Sequence, residues 1–173
     1  LPEVCADLDP TRPYLCDSPW SGSVEADPND PDIGDRHTWD LKLEEVREMV
    51  PRFVSEFGHQ SPPLRRTIEE ALGRDIFVSE EPEALAAFAG RQRGWGGDAA
   101  QYDRWLEDWF SPATTLDQRL FQMHLLQARS TTMTYEWLRM NSARCSGALV
   151  WQLNDAWTGH SWSLIDRAGR PKP

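Results

Sequence analysis

Apolar residues recur at helical spacing in several segments of the chain. Pro62 and Pro63 are suited to open one of these helices and Gly73 to end it, while Ser79 is a suitable N-cap for the next. The longest periodic stretch begins at Leu116, and one stripe along it carries Leu120, His124, Gln127 and Tyr135. The pattern predicts helices over residues 43–50, 62–73, 79–90, 102–110 and 116–141.

Short apolar runs between these helical segments predict strands. The run from Gly147 to Leu153 lacks the alternation of a half-exposed strand, so we expect it to be buried on both faces, as parallel strands between helices are. Strands that alternate with helices indicate an α/β fold. The predicted strands are Pro13–Cys16, His37–Leu43, Arg52–Ser55 and Gly147–Leu153.

The net charge is −10, and the acidic residues are spread along all 173 positions. This balance argues against nucleic acid and anionic membrane as partners, and no apolar run approaches the roughly 20 residues of a membrane span. Cys5, Cys16 and Cys145 show no ligand spacing. The sequence therefore favours a reducing, cytoplasmic location, and leaves a secreted or lysosomal one open.

The chain contains nine tryptophans. Indole rings supply rigid apolar faces that fill cores or stack on sugars. We expect core positions for Trp105, Trp109 and Trp137, which lie in helical patterns. Ligand contact is expected for the indoles at strand ends or in the loops after them, which are Trp39, Trp151, Trp157 and Trp162.

Glu56 is the strongest candidate for chemistry, because it ends an apolar strand directly before a Phe-Gly break. Active sites of parallel α/β folds gather at such strand ends. The alternative is a solvated loop carboxylate or a partner for Arg52. Asp35 and His37, two apart on a strand, are expected to share a face. They could be metal ligands, but no third ligand stands at a telling spacing, so neither a metal nor another cofactor is predicted.

A third group of candidates follows the last strand, where indoles alternate with amide and carboxylate groups suited to pairing with sugar hydroxyls. Packing of the loop against the end of the barrel is the competing explanation for Trp157 and for Trp162. The group consists of Trp151, Asn154, Asp155 and Trp157.

In their order along the chain, these motifs resemble the catalytic domain of β-mannosidases in glycoside hydrolase family 2. The motifs are Asp9–Tyr14, Gly34-Asp-x-His-x-Trp39, Arg52-Phe-Val-Ser-Glu-Phe-Gly58 with Gln60-Ser61, Trp151-Gln-Leu-Asn-Asp-x-Trp157 and Ser161-Trp-Ser-x-Ile-Asp166. The chain departs from the commoner pattern at Cys16, Asp17, Thr38, His59 and Thr158; the residue usual at position 59 is Phe or Tyr.

The resemblance implies a partial (β/α)8 TIM barrel with strands five to eight and their helices, so that residues 1–173 form the C-terminal half of the domain, truncated at both ends. Strand five would be Pro13–Cys16, strand six His37–Leu41, strand seven Arg52–Glu56 and strand eight Gly147–Leu153.

The resemblance also implies roles. Glu56 matches the nucleophile of a retaining exo-β-mannosidase, which removes terminal non-reducing β-D-mannose. Trp151, His37, Trp39, Asn154, Asp155 and Trp157 match residues beside the sugar. The acid/base of this family follows an asparagine, and no Asn-Glu pair occurs in this chain.

We therefore expect the isolated chain to be inactive. Its expected partners are a β-mannoside or manno-oligosaccharide, the missing N-terminal half of the barrel, and, through exposed edges, a second copy of itself. The competing hypotheses for the function of the chain are a β-galactosidase or β-glucuronidase fragment and a non-catalytic carbohydrate-binding module.

Overall fold

The structure is a computed structural model that describes residues 1–41, 43–78, 82–92 and 104–173. Their contacts divide into two compact units. Unit 1 comprises Leu1–Phe57 and Thr134–Leu149, and unit 2 comprises Gly58–Met133 and Val150–Pro173. None of the helices in the described ranges has the length and apolar character needed to cross a bilayer.

A three-stranded sheet carries the first candidate residues. Its strands are β1 (Arg36–His37), β2 (Val54–Phe57) and β3 (Ala148–Val150), in the order β1-β2-β3. β1 and β2 are parallel, and their register places His37 opposite Glu56. The segment before β3 follows β2 in the same direction, because Ser146 N donates to Arg52 O and Val54 N donates to Gly147 O. The predicted α/β class is confirmed, whereas the assignment of β1, β2 and β3 to strands six, seven and eight of a TIM barrel stays a prediction.

Helices occupy most of the predicted positions. Two 3₁₀ helices lie at Leu43–Glu48 and Arg74–Phe77, and residues 104–107 are helical. The predicted cap Ser79 and the start of the predicted helix at Tyr102 lie outside the described residues. The α-helices are α1 (Pro2–Leu8), α2 (Arg65–Leu72), α3 (Pro82–Ala89) and α4 (Leu116–Met140).

The core of unit 2 explains why α2, α3 and the start of α4 form. Their apolar stripes meet in one buried cluster, and burial of a side chain of this size contributes about 1.5–3 kcal/mol. The cluster consists of Ile68, Ile76, Phe77, Phe88, Leu116 and Leu120, with Leu72 and Leu85 packed against it. In unit 1, Phe57 packs edge-on against Tyr135 of α4, with ring centroids 4.9 Å apart.

Three expectations about the strands and one about the core are wrong. Pro13–Cys16 is not a strand, since the described residues give it no hydrogen-bonded neighbour. Where a strand was expected at His37–Leu43, the structure has the two-residue strand Arg36–His37. The chain leaves β2 after Thr38. The run Gly147–Leu153 forms a three-residue strand and is not buried on both faces, because Leu149 is 56% exposed. Trp109, expected in the core, is 44% exposed beyond the end of its short helix.

Candidate functional site

Glu56 lies on β2 beside two of the predicted site residues. The indole Nε1 of Trp39 donates a 3.0 Å hydrogen bond to Oε2 of Glu56, and His37 Nδ1 lies 3.5 Å from the same oxygen. Both contacts are made to Oε2, and the described residues give Oε1 no hydrogen-bond donor. The carboxylate is therefore held through one oxygen, while the other remains available, and its side chain keeps 26% of its surface exposed.

The Glu56 group includes a network that the sequence motifs did not reveal. Asp35 accepts hydrogen bonds from the hydroxyls of Ser18 and Ser55, at 2.6 and 2.5 Å, and from the backbone N–H of Trp20 at 2.8 Å. Ser18 Oγ also lies 3.2 Å from His37 Nε2. Asp35 and His37 therefore share a face, as their spacing predicts. No signal in the sequence pointed to Ser18, which is 19 residues away from His37.

The environment of Asp35 keeps it ionised. Partial burial raises the pKa of its carboxyl group, but the hydrogen bonds from Ser18, Ser55 and Trp20 lower it, and together they outweigh burial. The pKa therefore lies below the ordinary aspartate value. The Ser18 hydroxyl therefore links a negative charge to Nε2 of His37, while Glu56 lies near Nδ1 of the same ring.

Gly34 positions this aspartate. Its φ of +67° lies in the left-handed region, and a Cβ at this position would stand 1.8 Å from the carbonyl oxygen of Trp20. Only glycine permits both the conformation and the approach of the two backbones. The loop that begins at Ser18 can therefore close onto Asp35.

We expect Gly34→Ala to destabilise the protein by about 3 kcal/mol, since it combines left-handed strain with a backbone collision. Gly22→Ala is a matched control, because Gly22 also has a positive φ, of +89°, but nothing lies within 4 Å of the position that a Cβ would take. The control should cost only about 1 kcal/mol. Urea denaturation of both variants measures the difference, and equal losses would contradict the collision.

The second candidate group lies in unit 2, in the segment after β3. Trp151 is 44% exposed, and its carbonyl oxygen would be 2.3 Å from a Cβ on Gly58. Glycine at position 58 is therefore what allows the backbones of the two segments to meet. Trp157 is 43% exposed and covers Gly159, where a Cβ would lie 2.5 Å from its ring. Asn154 is exposed and pairs through its backbone with Ile165.

Asp155 faces inward. It is 6% exposed and accepts hydrogen bonds from the hydroxyls of Ser161 and Ser163, at 2.8 and 2.5 Å. Its backbone N–H donates to Ile165 O. Asp155 therefore fixes the turn that carries Trp157, and a direct contact with a sugar stays a prediction.

A buried polar network supports this segment. Gln127 of α4 accepts from Ser61 Oγ and donates to the carbonyl oxygens of His59 and Ser163. Lys172 Nζ donates to the carbonyl oxygens of Ser61 and Ser161. Burial lowers the pKa of Lys172 to about 8. Paired backbone carbonyls, rather than a single carboxylate, hold this amine in the interior.

His59 stands where the resemblance predicted Phe or Tyr. Its ring packs against Trp105 with centroids 4.8 Å apart, and within the described ranges its buried Nε2 has no hydrogen-bond partner. Burial lowers the pKa of His59 to about 4 from 6.5. Below pH 6.5 the unfolded chain gains a proton that the folded chain takes up only near pH 4, so stability falls across this interval.

We expect His59→Phe to raise the free energy of unfolding at pH 7 by about 1 kcal/mol, because it removes the unpaired nitrogen. The variant should also lose roughly 2 kcal/mol less than the parent between pH 6.5 and 4. Urea denaturation at several pH values tests both effects. Parallel pH profiles for variant and parent would show that His59 does not titrate as its burial implies.

The chain is similar along its whole length to β-mannosidases. β-Mannosidase B of Thermothelomyces thermophilus is 34% identical over an alignment of 185 positions that covers 99% of this chain. The Neosartorya fischeri enzyme of the same name is 32% identical over all of it. The crystal structure of a β-D-mannosidase from Dictyoglomus thermophilum matches the whole chain with a TM-score of 0.83 at 32% identity.

The chain spans 21% of the length of each of these relatives. No protein-family model matches it. The resemblance to β-mannosidases that the motifs predicted is confirmed.

Proposed function

We propose that this chain is the nucleophile-bearing segment of a retaining exo-β-mannosidase, with Glu56 as the nucleophile. The single observation that carries this proposal is the geometry of the Glu56 carboxylate. Trp39 donates a hydrogen bond to Oε2, and the described residues give Oε1 no hydrogen-bond donor on β2. The 32–34% identity to β-mannosidases along the chain supports mannosides as the substrate class.

The reaction takes two displacements at the anomeric carbon. Glu56 Oε1 attacks this carbon, forming a glycosyl ester, while the bond to the leaving oxygen breaks and a general acid protonates that oxygen. Water then attacks the same carbon, gives its proton to the same acid/base residue, and displaces Glu56. The carboxylate keeps one fixed oxygen throughout, so the attacking oxygen needs little reorganisation.

His37 and Trp39 supply the orientation. The indole N–H is a neutral donor, so it fixes Oε2 without neutralising the charge that Oε1 needs for attack. We assign the sugar-facing surfaces to the indoles of Trp151 and Trp157 and to the amide of Asn154. Their exposure supports this assignment, because an indole must be accessible to stack on a sugar.

A mechanism-based inhibitor tests the assignment. A 2-deoxy-2-fluoro-mannosyl donor slows the second displacement and leaves the sugar on the nucleophile. The full-length enzyme that contains this chain should be labelled once, on the peptide with Glu56, as mass spectrometry would show. A label on another carboxylate would overturn the role of Glu56, and faster labelling by the galactosyl analogue would overturn the substrate class.

The proton donor of this mechanism is proposed to lie outside the 173 residues. General acid–base catalysis contributes about 10²- to 10⁴-fold, so the chain alone should show no turnover of an aryl β-mannoside with a poor leaving group. The full-length enzyme serves as the positive control in the same assay. Turnover by the chain alone would place the acid/base inside it.

Exposed apolar side chains around β3 suggest where the rest of the enzyme packs. Leu149 and Leu153 are 56% and 62% exposed, although both belong to an apolar run. We infer that the remainder of the full-length chain covers them, and that the isolated chain associates with a second copy instead. Sedimentation at micromolar concentration tests this inference, and a monomer would contradict it.

A further inference from the structure

The carboxylate of Asp35 lies behind His37 and is not within contact of Glu56. Three donors converge on it: the Ser18 hydroxyl at 2.6 Å, the Ser55 hydroxyl at 2.5 Å and the Trp20 N–H at 2.8 Å. Ser55 precedes Glu56 on β2, and Ser18 contacts His37. Asp35 therefore joins the two residues whose placement determines the surroundings of Glu56.

The direction of the hydrogen bonds follows from the number of hydrogens. Ser18 has one hydroxyl hydrogen, and the 2.6 Å distance to Asp35 assigns it to the carboxylate. The 3.2 Å contact between Ser18 Oγ and His37 Nε2 must then have the ring nitrogen as donor. Asp35 thus fixes the Ser18 hydroxyl, and the Ser18 oxygen in turn fixes the orientation of the His37 imidazole.

The other side of the ring faces Glu56. His37 Nδ1 lies 3.5 Å from Glu56 Oε2, the same oxygen that Trp39 holds at 3.0 Å. The backbone N–H of His37 is fixed separately, by Asn29 Oδ1 at 3.0 Å. With the main chain held, rotation of the imidazole is the remaining freedom, and the Ser18 contact removes it.

We propose that Asp35 is a positioning residue for Glu56, acting through Ser18 and the ring of His37. The proposal rests on the function proposed for Glu56 above. It extends the catalytic machinery to Asp35 and Ser18, neither of which needs to touch the sugar.

Two substitutions break the relay at different points. In Asp35→Asn, the amide oxygen still accepts a hydrogen bond from Trp20 N–H. An NH₂ group replaces the carboxylate oxygen to which the Ser18 hydroxyl donates. The hydroxyl then turns to His37 Nε2 as a donor, and the direction of the relay reverses. Ser18→Ala removes the link and leaves the contacts of Asp35 with Ser55 and Trp20 in place.

The rate of covalent trapping of the full-length enzyme by the 2-fluoro-mannosyl inhibitor reports on attack by Glu56 alone. We expect both variants to lower the inactivation rate constant by about 10- to 100-fold, the cost of a misplaced reacting group. The inhibitor constant for initial binding should stay within about twofold. The double variant should be no slower than the worse single variant, because both changes break one relay.

Asp27→Asn is the matched control. It is the same substitution in the same loop. Within the described ranges the Asp27 carboxylate accepts a hydrogen bond only from the backbone N–H of Asn29, as an asparagine amide oxygen also can. It should react at the parental rate.

Unchanged inactivation rates in Asp35→Asn and Ser18→Ala would overturn the positioning role of Asp35. A label on Glu56 in the same experiment would still support Glu56 as the nucleophile. A weaker initial binding constant with an unchanged rate would assign Asp35 to loop structure only. If Asp35→Asn fails to fold, Ser18→Ala decides alone, since Ser18 is exposed. A label away from Glu56 would refute the proposed function itself.

Discussion

Replacing Glu56 with glutamine is expected to lower the hydrolysis of aryl β-mannosides by the full-length enzyme about 10⁴-fold or more. The amide has nearly the same shape but no charge, so it cannot form the glycosyl ester. Steady-state kinetics measure the loss. Glu136→Gln, on an exposed face of α4, is the control and should keep parental activity.

A chemical rescue distinguishes a nucleophile from an acid/base. In Glu56→Ala, added azide should occupy the vacated space and attack the anomeric carbon of an activated mannoside. One displacement inverts the configuration, so the product should be the α-mannosyl azide. A β-mannosyl azide would mean that position 56 serves as the acid/base, and the assignment would be wrong.

The largest expected loss of stability comes from Asp166→Ala in unit 2. The carboxylate is 1% exposed and accepts from Thr67 Oγ1 at 2.5 Å, Ala168 N at 2.9 Å and Arg170 N at 3.1 Å. Alanine would leave these donors without their acceptor, so we expect a cost of about 3–5 kcal/mol. Urea denaturation measures it. Asp117→Ala, at an exposed ion pair with Arg65, should cost no more than about 1 kcal/mol.

Asp166 also adds a pH dependence. Burial raises the pKa of its carboxyl group. The hydrogen bonds from Thr67 and from the backbone N–H groups of Arg170, Ala168 and Leu64 lower this pKa, and together they outweigh burial. The pKa of Asp166 in the folded protein is therefore below the ordinary aspartate value. Its contribution is present above about pH 4 and is lost as pH falls through the folded pKa. Asp166→Ala should flatten the stability profile below pH 4.

The helices were predictable from the sequence because their signals are local. Pro62, Pro63 and Gly73 bracket α2, and the apolar stripe after Leu116 matches the 25 residues of α4. The strands were less predictable, since a strand needs a partner that sequence does not identify. Pro13–Cys16 has the composition of a strand, but the described residues give it no neighbouring strand. In the apolar run Gly147–Leu153, none of the described residues covers Leu149.

The candidate site divides in the same way. Glu56, His37 and Trp39 carry motif signals, and the structure brings them together. Ser18 belongs to none of the motifs, and Ser55 belongs to one in which nothing marks it as a partner of Asp35, because a serine is compatible with almost any surface. Their contacts with Asp35 span 17 and 20 residues. The inward orientation of Asp155 was equally hidden, since it depends on hydroxyls six and eight positions later.

The Ser18–Asp35 loop is anchored close to both ends. Ser18 and Trp20 bind Asp35 at one end, and Asn29 binds the backbone of His37 at the other. Between the anchors, residues 22–27 are largely exposed, and Val24 is 83% exposed. Insertions or a reporter peptide grafted at this tip should therefore be tolerated without disturbing hydrolysis. Varying the length of the tip gives protein engineers a way to change this exposed loop while leaving the contacts of Asp35 and His37 intact.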